Sequence, residues 1–251
     1  MILRAVCRSV ICLTIVCLSV RGNTVVLGNP PMLGTGNCDP FGCPAFLGVT
    51  TYQQVYAATA FPGLIDIDGL TFYQGQVHNP LAAPAGGTYT LSLSYTSLAP
   101  GDLSLTNPAN NIGSGSQTFF SGALPPLTPE GPTGAYLAID GTPFVYNPAD
   151  GNLLLTVTIT GASDNYPALF LNEAACGPKT LCPPGSFVVS SDAYFATVNG
   201  VAVSGGNDLG GLVTGFDYST TTTTPEPISF LLVLGPVGLF LTFRAYRRRR
   251  L

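Results

Sequence analysis

The chain has 251 residues and few charges, since Asp, Glu, Lys and Arg make up 9% of it, against about 25% in ordinary globular proteins. This composition excludes a charge-rich coiled coil, a typical charged disordered tail and a general nucleic-acid binder. Apolar residues reach 46%, and 30 glycines and 22 prolines supply many turns, so we expect a turn-rich β protein.

The N-terminal residues 1–22 have the pattern of a secretory signal peptide. Arg4 and Arg8 precede the apolar run at residues 10–20, and Val20 and Gly22 fit the positions before a cleavage site. The apolar run is too short to cross about 30 Å of hydrocarbon as a helix. We therefore predict export, with a mature chain that starts at Asn23; a retained N-terminal anchor is the alternative.

The region between the two ends is strongly acidic. Residues 23–224 contain one base, Lys179, against ten aspartates and two glutamates, which gives a net charge of −11. Such a surface repels phosphate backbones and anionic lipid headgroups. Nucleic acid is therefore excluded as a partner of this region, whereas cations stay open.

The cysteines agree with export. Three of the seven lie in the signal peptide, and Cys38, Cys43, Cys176 and Cys182 remain for an oxidising compartment. Four cysteines allow three pairings. Proline and glycine turns inside each short loop favour two local disulfides, Cys38 with Cys43 and Cys176 with Cys182. A zinc site is the alternative, which the lack of a C-x-x-C motif and of a nearby histidine disfavours.

Alternation of apolar and polar residues dominates the body, residues 23–218. Residues 64–69 and 69–73 predict two short strands that meet at a turn, and residues 87–95 predict a strand with its apolar face at odd positions. Residues 143–160 predict a hairpin, because a Pro-Ala-Asp-Gly turn precedes a strand that has Leu153, Leu155, Val157 and Ile159 on one face. Further strands are predicted at 52–58, 135–140, 168–172, 187–190, 193–198 and 201–204.

No long window shows a helical period, and prolines recur too often for helices. The spacing of strands and turns instead predicts an all-β fold, an antiparallel β-sandwich of jelly-roll type. A body of this length can bury a substantial core. We therefore expect the disulfides to restrain loops and not to stabilise the fold alone.

Side chains that could perform chemistry are sparse. Asp66 and Asp68 lie two residues apart, hence on one strand face, and are weak candidates for a calcium site or for the acid and base of a hydrolase. The alternative is that Asp66 and Asp68 simply lie on the solvent-exposed face of a strand, while Ile65 and Ile67 point into the core. His78 has no nucleophile motif around it. We predict no catalytic residue, no metal and no cofactor, with calcium kept as an alternative.

The tyrosines of the body suggest an alternative function. Aromatic side chains on exposed strands stack against sugars, so a secreted carbohydrate-binding β-sandwich module is the alternative function, although core packing is the commoner role of strand tyrosines. The tyrosines concerned are Tyr52, Tyr56, Tyr73, Tyr89 and Tyr95.

The C-terminal end has three parts. Residues 219–227 form a Ser/Thr-rich linker that ends in Pro225-Glu226-Pro227, and residues 228–246 are uncharged apart from Arg244. This second part is long enough to predict a single transmembrane helix. Residues 247–251 contain Arg247, Arg248, Arg249 and Arg250, which the positive-inside bias would hold in the cytoplasm. The body is therefore predicted to lie outside.

The combination of Pro225-Glu226-Pro227, an apolar segment and a terminal arginine cluster resembles the PEP-CTERM sorting signal of Gram-negative bacterial surface proteins. The resemblance implies recognition by an exosortase, a membrane-embedded protease that would cleave near the Pro-Glu-Pro motif. A plain C-terminal membrane anchor is the alternative. With the N-terminal signal, the resemblance predicts a non-enzymatic protein that is held transiently in the inner membrane and then sorted to the cell surface or extracellular matrix, where surface polysaccharide is a further candidate partner.

Overall fold

The computed structural model describes residues 22–28, 36–75, 82–130, 134–165, 168–172, 190–206 and 211–220. Strands dominate these residues; the single α-helix among them, α1, spans Pro44–Leu47, and short 3₁₀ turns occur at Ala58–Ala60, Pro108–Asn111 and Pro148–Asp150. The strands are β1 (Asn23–Leu27), β2 (Gly36–Asn37), β3 (Val49–Tyr56), β4 (Ile65–Tyr73), β5 (Gly86–Thr96), β6 (Gln117–Gly122), β7 (Thr128–Glu130), β8 (Gly134–Tyr146), β9 (Asn152–Ser163), β10 (Leu171–Asn172), β11 (Ser190–Val198), β12 (Val201–Gly206) and β13 (Thr214–Thr220).

Two antiparallel sheets form the architecture, and the all-β prediction is confirmed. One sheet has the order β1-β13-β4-β8-β7 and the other β12-β11-β3-β9-β5-β6, while β10 and β2 form a separate pair. Side chains of both large sheets share one buried apolar core. The architecture is therefore that of a β-sandwich, in which alternation along each strand turns every second side chain inward.

Strand β9 shows how sequence pattern becomes core packing. Leu153, Leu155, Val157 and Ile159 are all buried, as their alternation predicts. Leu154 faces the other way and is also buried, because Leu103 and Val55 pack with it on the outer face of the six-stranded sheet. The loop that contains Leu103 is held there through Gln53, whose side-chain amide donates to the Pro108 carbonyl at 3.0 Å and accepts from the Asn111 amide at 2.8 Å.

The predicted hairpin at residues 143–160 is wrong. Strand β8 pairs with β4 and β7 in the five-stranded sheet, whereas β9 pairs with β3 and β5 in the six-stranded sheet. The turn after Tyr146 therefore carries the chain from one sheet to the other. Both strands have an apolar face, and these faces meet across the core instead of lying side by side in one sheet.

The predicted turn at Gly69 is also wrong, because β4 continues through it. Ile67 pairs with Phe144 and Gly69 with Asp140, so the ladder skips Asp68. The pairing with β13 is irregular at the same point, where Asp217 lies opposite Gly69 and Tyr218 opposite Ile67. This β-bulge absorbs the local bend that the Asp-Gly sequence favours, while the flanking strands keep β4 extended.

Aromatic side chains fill the middle of the core. The Phe216 ring lies 4.9 Å from the Tyr56 ring and 5.2 Å from the Phe61 ring, both in edge-to-face geometry, and Phe61 contacts Tyr146 in the same way at 4.9 Å. Tyr56 belongs to the six-stranded sheet, and Phe216 and Tyr146 belong to the five-stranded sheet. The cluster therefore joins the two sheets.

Several sequence predictions fall outside the described residues. These are the signal peptide, His78, the Cys176 and Cys182 pair, the Pro225-Glu226-Pro227 motif, the apolar segment 228–246 and the arginines at 247–250. Within the described part of the chain, no helix is long and apolar enough to span a membrane. Strand β13 includes Ser219 and Thr220, the first two residues of the predicted linker.

Candidate functional site

Both ends of the body lie in one strand pair. Strand β1 pairs with β13 in antiparallel register, from Asn23 opposite Tyr218 to Leu27 opposite Thr214. Asn23 is the first residue of β1, and β13 ends at Thr220, only five positions before Pro225. In an antiparallel pair, the start of one strand lies beside the end of the other. The chain therefore enters and leaves the body at the same end of the five-stranded sheet.

The predicted candidates Asp66 and Asp68 lie close to that end. Asp66 in β4 is opposite Ser219 of β13 and Val145 of β8, and its Oδ1 atom is buried without a hydrogen-bond partner. Asp68 is the exposed residue of the bulge. Desolvation raises the pKa of the Asp68 carboxyl, and the charge of Asp217 raises it further, with smaller contributions of the same sign from Asp66 and Asp140.

Two more aspartates join this acidic cluster, which comprises Asp66, Asp68, Asp140 and Asp217. Asp217 and Asp140 lie on either side of Gly69, one on each neighbouring strand. A Cβ at Gly69 would lie 3.0 Å from the Asp217 side chain, so glycine leaves room for the carboxylate. The Thr24 hydroxyl donates a hydrogen bond to Asp217. Asp140 and Asp217 are distant in sequence, and only the strand register reveals their proximity.

The acidic cluster does not form a compact metal site. Among the residues that the structure describes, no three Asp, Glu, His or Cys side chains are grouped so that they could hold a metal ion together. The four carboxylates instead spread over neighbouring strands and give this part of the sheet a negative potential.

A second group of polar residues surrounds the disulfide of Cys38 and Cys43, which is present as predicted from the local spacing. A Cβ at Gly42 would lie 1.9 Å from the Leu169 carbonyl oxygen, so only glycine lets the disulfide loop pack this closely. The Phe41 ring is fully buried and lies 4.8 Å from the Phe72 ring. The loop is therefore built into the core rather than attached to its surface.

Asp39 lies inside this loop and is 5% exposed. Its backbone N–H donates to the Asn37 side chain at 2.9 Å, and its Oδ1 atom lies 4.0 Å from the Cys43 sulfur. That sulfur is in the disulfide and has no proton to donate. Desolvation, followed by the charge of Asp164, raises the pKa of the Asp39 carboxyl from 3.8 to about 6.

Tyr89 and Asp164 complete the group. The Asp164 carboxylate accepts a hydrogen bond from the Ala45 N–H at 2.9 Å. Tyr89 is fully buried, and its hydroxyl has no hydrogen-bond partner. Desolvation raises its pKa, and the charges of Asp164 and Asp39 add to the effect. Sequence reasoning missed all three residues as a group, because they come from segments far apart in the chain.

The structure also locates the tyrosines that were considered for sugar stacking. Tyr52, Tyr56 and Tyr89 are completely buried, and Tyr73 and Tyr95 are half-buried. The Tyr56 hydroxyl bonds to Thr214 at 2.9 Å and the Tyr52 hydroxyl donates to Gln54 at 2.7 Å. The three buried rings belong to the core and offer no face to a ligand in solution.

Comparisons of the chain with protein-family models, with curated proteins and with solved structures gave no significant match.

Proposed function

We propose that the chain is an exported, non-enzymatic protein of the cell surface or extracellular matrix. Residues 1–22 would deliver it across the inner membrane, and an exosortase-type protease would process it at Pro225-Glu226-Pro227. The body would be a β-sandwich of jelly-roll type without a resident cofactor, and surface polysaccharide would be a candidate partner. The observation on which the proposal chiefly depends is the pairing of β1 with β13.

That pairing supports the proposal through geometry. The predicted signal peptide precedes β1 and the predicted transmembrane segment follows β13, so both would leave the body from the same end. Arg4 and Arg8 precede the first apolar segment, and Arg247–250 follow the second. The positive-inside bias would hold both sets in the cytoplasm. One folded body on the outer side of the membrane satisfies both constraints.

The disulfide and the charge of the body agree with this location. The Cys38 to Cys43 bond is of a kind that persists in oxidising compartments and is rare in the cytosol. The net charge of −11 over residues 23–224 keeps an exported body soluble and away from anionic lipid headgroups. The membrane would then hold the protein only through its C-terminal segment.

A variant of the sorting motif tests the proposal. Pro225→Ala, Glu226→Gln and Pro227→Ala together remove the motif and leave the apolar segment and the arginines intact. In the native host, we expect this variant to stay in the inner membrane with its full C-terminus, while the wild type is processed and leaves it. Subcellular fractionation with antibodies against the body and against a C-terminal epitope makes the measurement.

The chain provides a matched control for that variant. Pro129 and Glu130 form a second Pro-Glu pair, located in β7 of the body, so Pro129→Ala with Glu130→Gln makes two of the three chemical changes away from the motif. The control is expected to be processed like the wild type. Equal release of the motif variant and the control would refute the sorting proposal.

A further inference from the structure

Strand β12 is an open edge of the six-stranded sheet. It stands at the end of the sheet order and pairs on one side with β11. The two strands are joined by the two-residue turn Asn199-Gly200, in which both residues have positive φ, 52° and 79°. This turn is typical of a tight β-hairpin. No strand pairs with the other side of β12 in the described part of the chain, although the Ser204 hydroxyl donates to the Leu105 carbonyl.

The exposed residues of this hairpin are uncharged, and three of them are valines. Four consecutive residues of β12, from Val201 to Ser204, are exposed. Val201 is 63% exposed, and Val198 and Val203 are 44% and 41% exposed. Natural proteins usually protect a sheet edge with charges, prolines, bulges or a covering loop, and β12 has no charge and no proline.

The opposite edge of the same sheet, β6, is in contact with the five-stranded sheet. A Cβ at Gly141 of β8 would lie 2.5 Å from the Phe119 ring of β6, so the two strands are in direct contact. The Gln117 amide of β6 also donates to the Pro143 carbonyl after Gly141, at 2.9 Å. Strand β6 therefore packs against the five-stranded sheet.

The edges of the five-stranded sheet carry protective features of their own. Strand β7 has three residues and contains Pro129 and Glu130, both unfavourable for pairing with another chain. Strand β1 lies beside the acidic cluster, since Thr24 bonds to Asp217. A second copy at β1 would bring a second cluster of carboxylates to the same place.

We propose that β12 pairs with β12 of a second copy of this chain, in antiparallel orientation about a two-fold axis. The free groups of a sheet edge are backbone N–H and C=O, and only another strand satisfies a row of them. The strand is self-complementary because neither copy brings a charge to the contact, although the body as a whole is strongly acidic. Because β6 packs against the five-stranded sheet, we expect the pairing to end with a dimer rather than continue into a fibre.

The ladder with β11 defines which groups are free. Val201 and Val203 lie opposite Val198 and Ala196, and the two-residue turn makes the first of these a hydrogen-bonded pair. The alternation of an antiparallel ladder then turns the backbone groups of Ala202 and Ser204 toward the free edge. With the axis at Val203, Ala202 would bond to Ser204 of the second copy, and the two Val203 side chains would pack together.

The substitution Val201→Lys tests the proposal. Val201 is the most exposed residue of the three valines, so a lysine there keeps the fold and places two like charges near the axis of the dimer. We expect the full wild-type chain to sediment as a dimer at about 100 µM, and the dissociation constant of the variant to rise at least about tenfold. Val26→Lys is the matched control, because Val26 is an exposed valine on the edge strand β1, and we expect this variant to stay dimeric under the same conditions.

Hydrogen exchange provides a second readout that depends on the strand itself. The amides of Ala202 and Ser204 should gain protection as the concentration of the wild type rises, and should not do so in Val201→Lys. A monomeric wild type, or a dimer that survives Val201→Lys with unprotected Ala202 and Ser204 amides, would overturn the proposal. A dimer that Val26→Lys disrupts instead would place the contact at β1 and overturn it as well.

Discussion

Phe216→Ala is expected to lower the free energy of unfolding of the body by about 3 to 5 kcal/mol, the usual cost of removing a buried phenylalanine side chain. Phe216 is fully buried on β13 and contacts Tyr56 and Phe61 edge to face. Its loss would leave a cavity between the two sheets, at the strand that connects the body to the C-terminal segment. Urea unfolding of the full chain, followed by the fluorescence of the tyrosines, measures the change.

Phe46→Ala is the matched control for this prediction. Phe46 belongs to the short helix α1 and is 80% exposed, so its truncation should change the free energy of unfolding by no more than about 0.5 kcal/mol. If Phe216→Ala were as mild as Phe46→Ala, the aromatic cluster would not be the contact that joins the sheets.

Asp39→Asn is expected to stabilise the protein at neutral pH and to flatten its pH dependence. The folded-state pKa of Asp39 is about 6, above the ordinary value of 3.8. Below about pH 3 the carboxyl is largely protonated in both states and causes almost no penalty. As the pH rises through 4 to 6, the unfolded state ionises more readily than the folded state, so the stability of the wild type falls.

The size of this effect follows from the shift. At about 1.4 kcal/mol for each pKa unit, the loss reaches about 3 kcal/mol above pH 6. Asparagine keeps the shape of the side chain without the charge, so the variant should gain up to this amount at pH 7 and much less at pH 4. Urea unfolding at a series of pH values from 4 to 8 makes the comparison.

Asp164→Asn separates the two causes of the shift. The charge of Asp164 contributes to the raised pKa of Asp39 after desolvation, and an asparagine can still accept the hydrogen bond from Ala45. The fall in stability should therefore be smaller and end at a lower pH in this variant, without disappearing. A pH profile of Asp39→Asn identical to that of the wild type would show that Asp39 is not the group responsible.

The sequence was a good guide wherever a strand has one buried face. The alternation at Leu153, Leu155, Val157 and Ile159 predicts their burial because the period of a strand is two. The same reasoning could not assign β8 and β9 to different sheets. The turn residues Asp150-Gly151 predict that the chain reverses direction. They do not predict whether the next strand joins the same sheet or the other one.

The candidate site was predictable only in its local part. Asp66 and Asp68 are close in sequence and were identified, and the disulfide of Cys38 with Cys43 follows from a short loop. Asp140 and Asp217 join the acidic cluster through strand register, and Asp164 and Tyr89 reach Asp39 through the packing of distant segments. Contacts between residues so far apart in the chain cannot be predicted from local patterns in a single sequence.

The central proposal is that the chain is exported, processed and sorted, and the intact mass and location of the protein in its native host test it most directly. The measurement is made in strains with and without the exosortase-type protease. The proposal predicts a body that begins near Asn23 and ends close to Pro225, found outside the inner membrane only when the protease is present. A chain that keeps its full C-terminus and stays in the inner membrane in both strains would contradict it and indicate a plain membrane anchor.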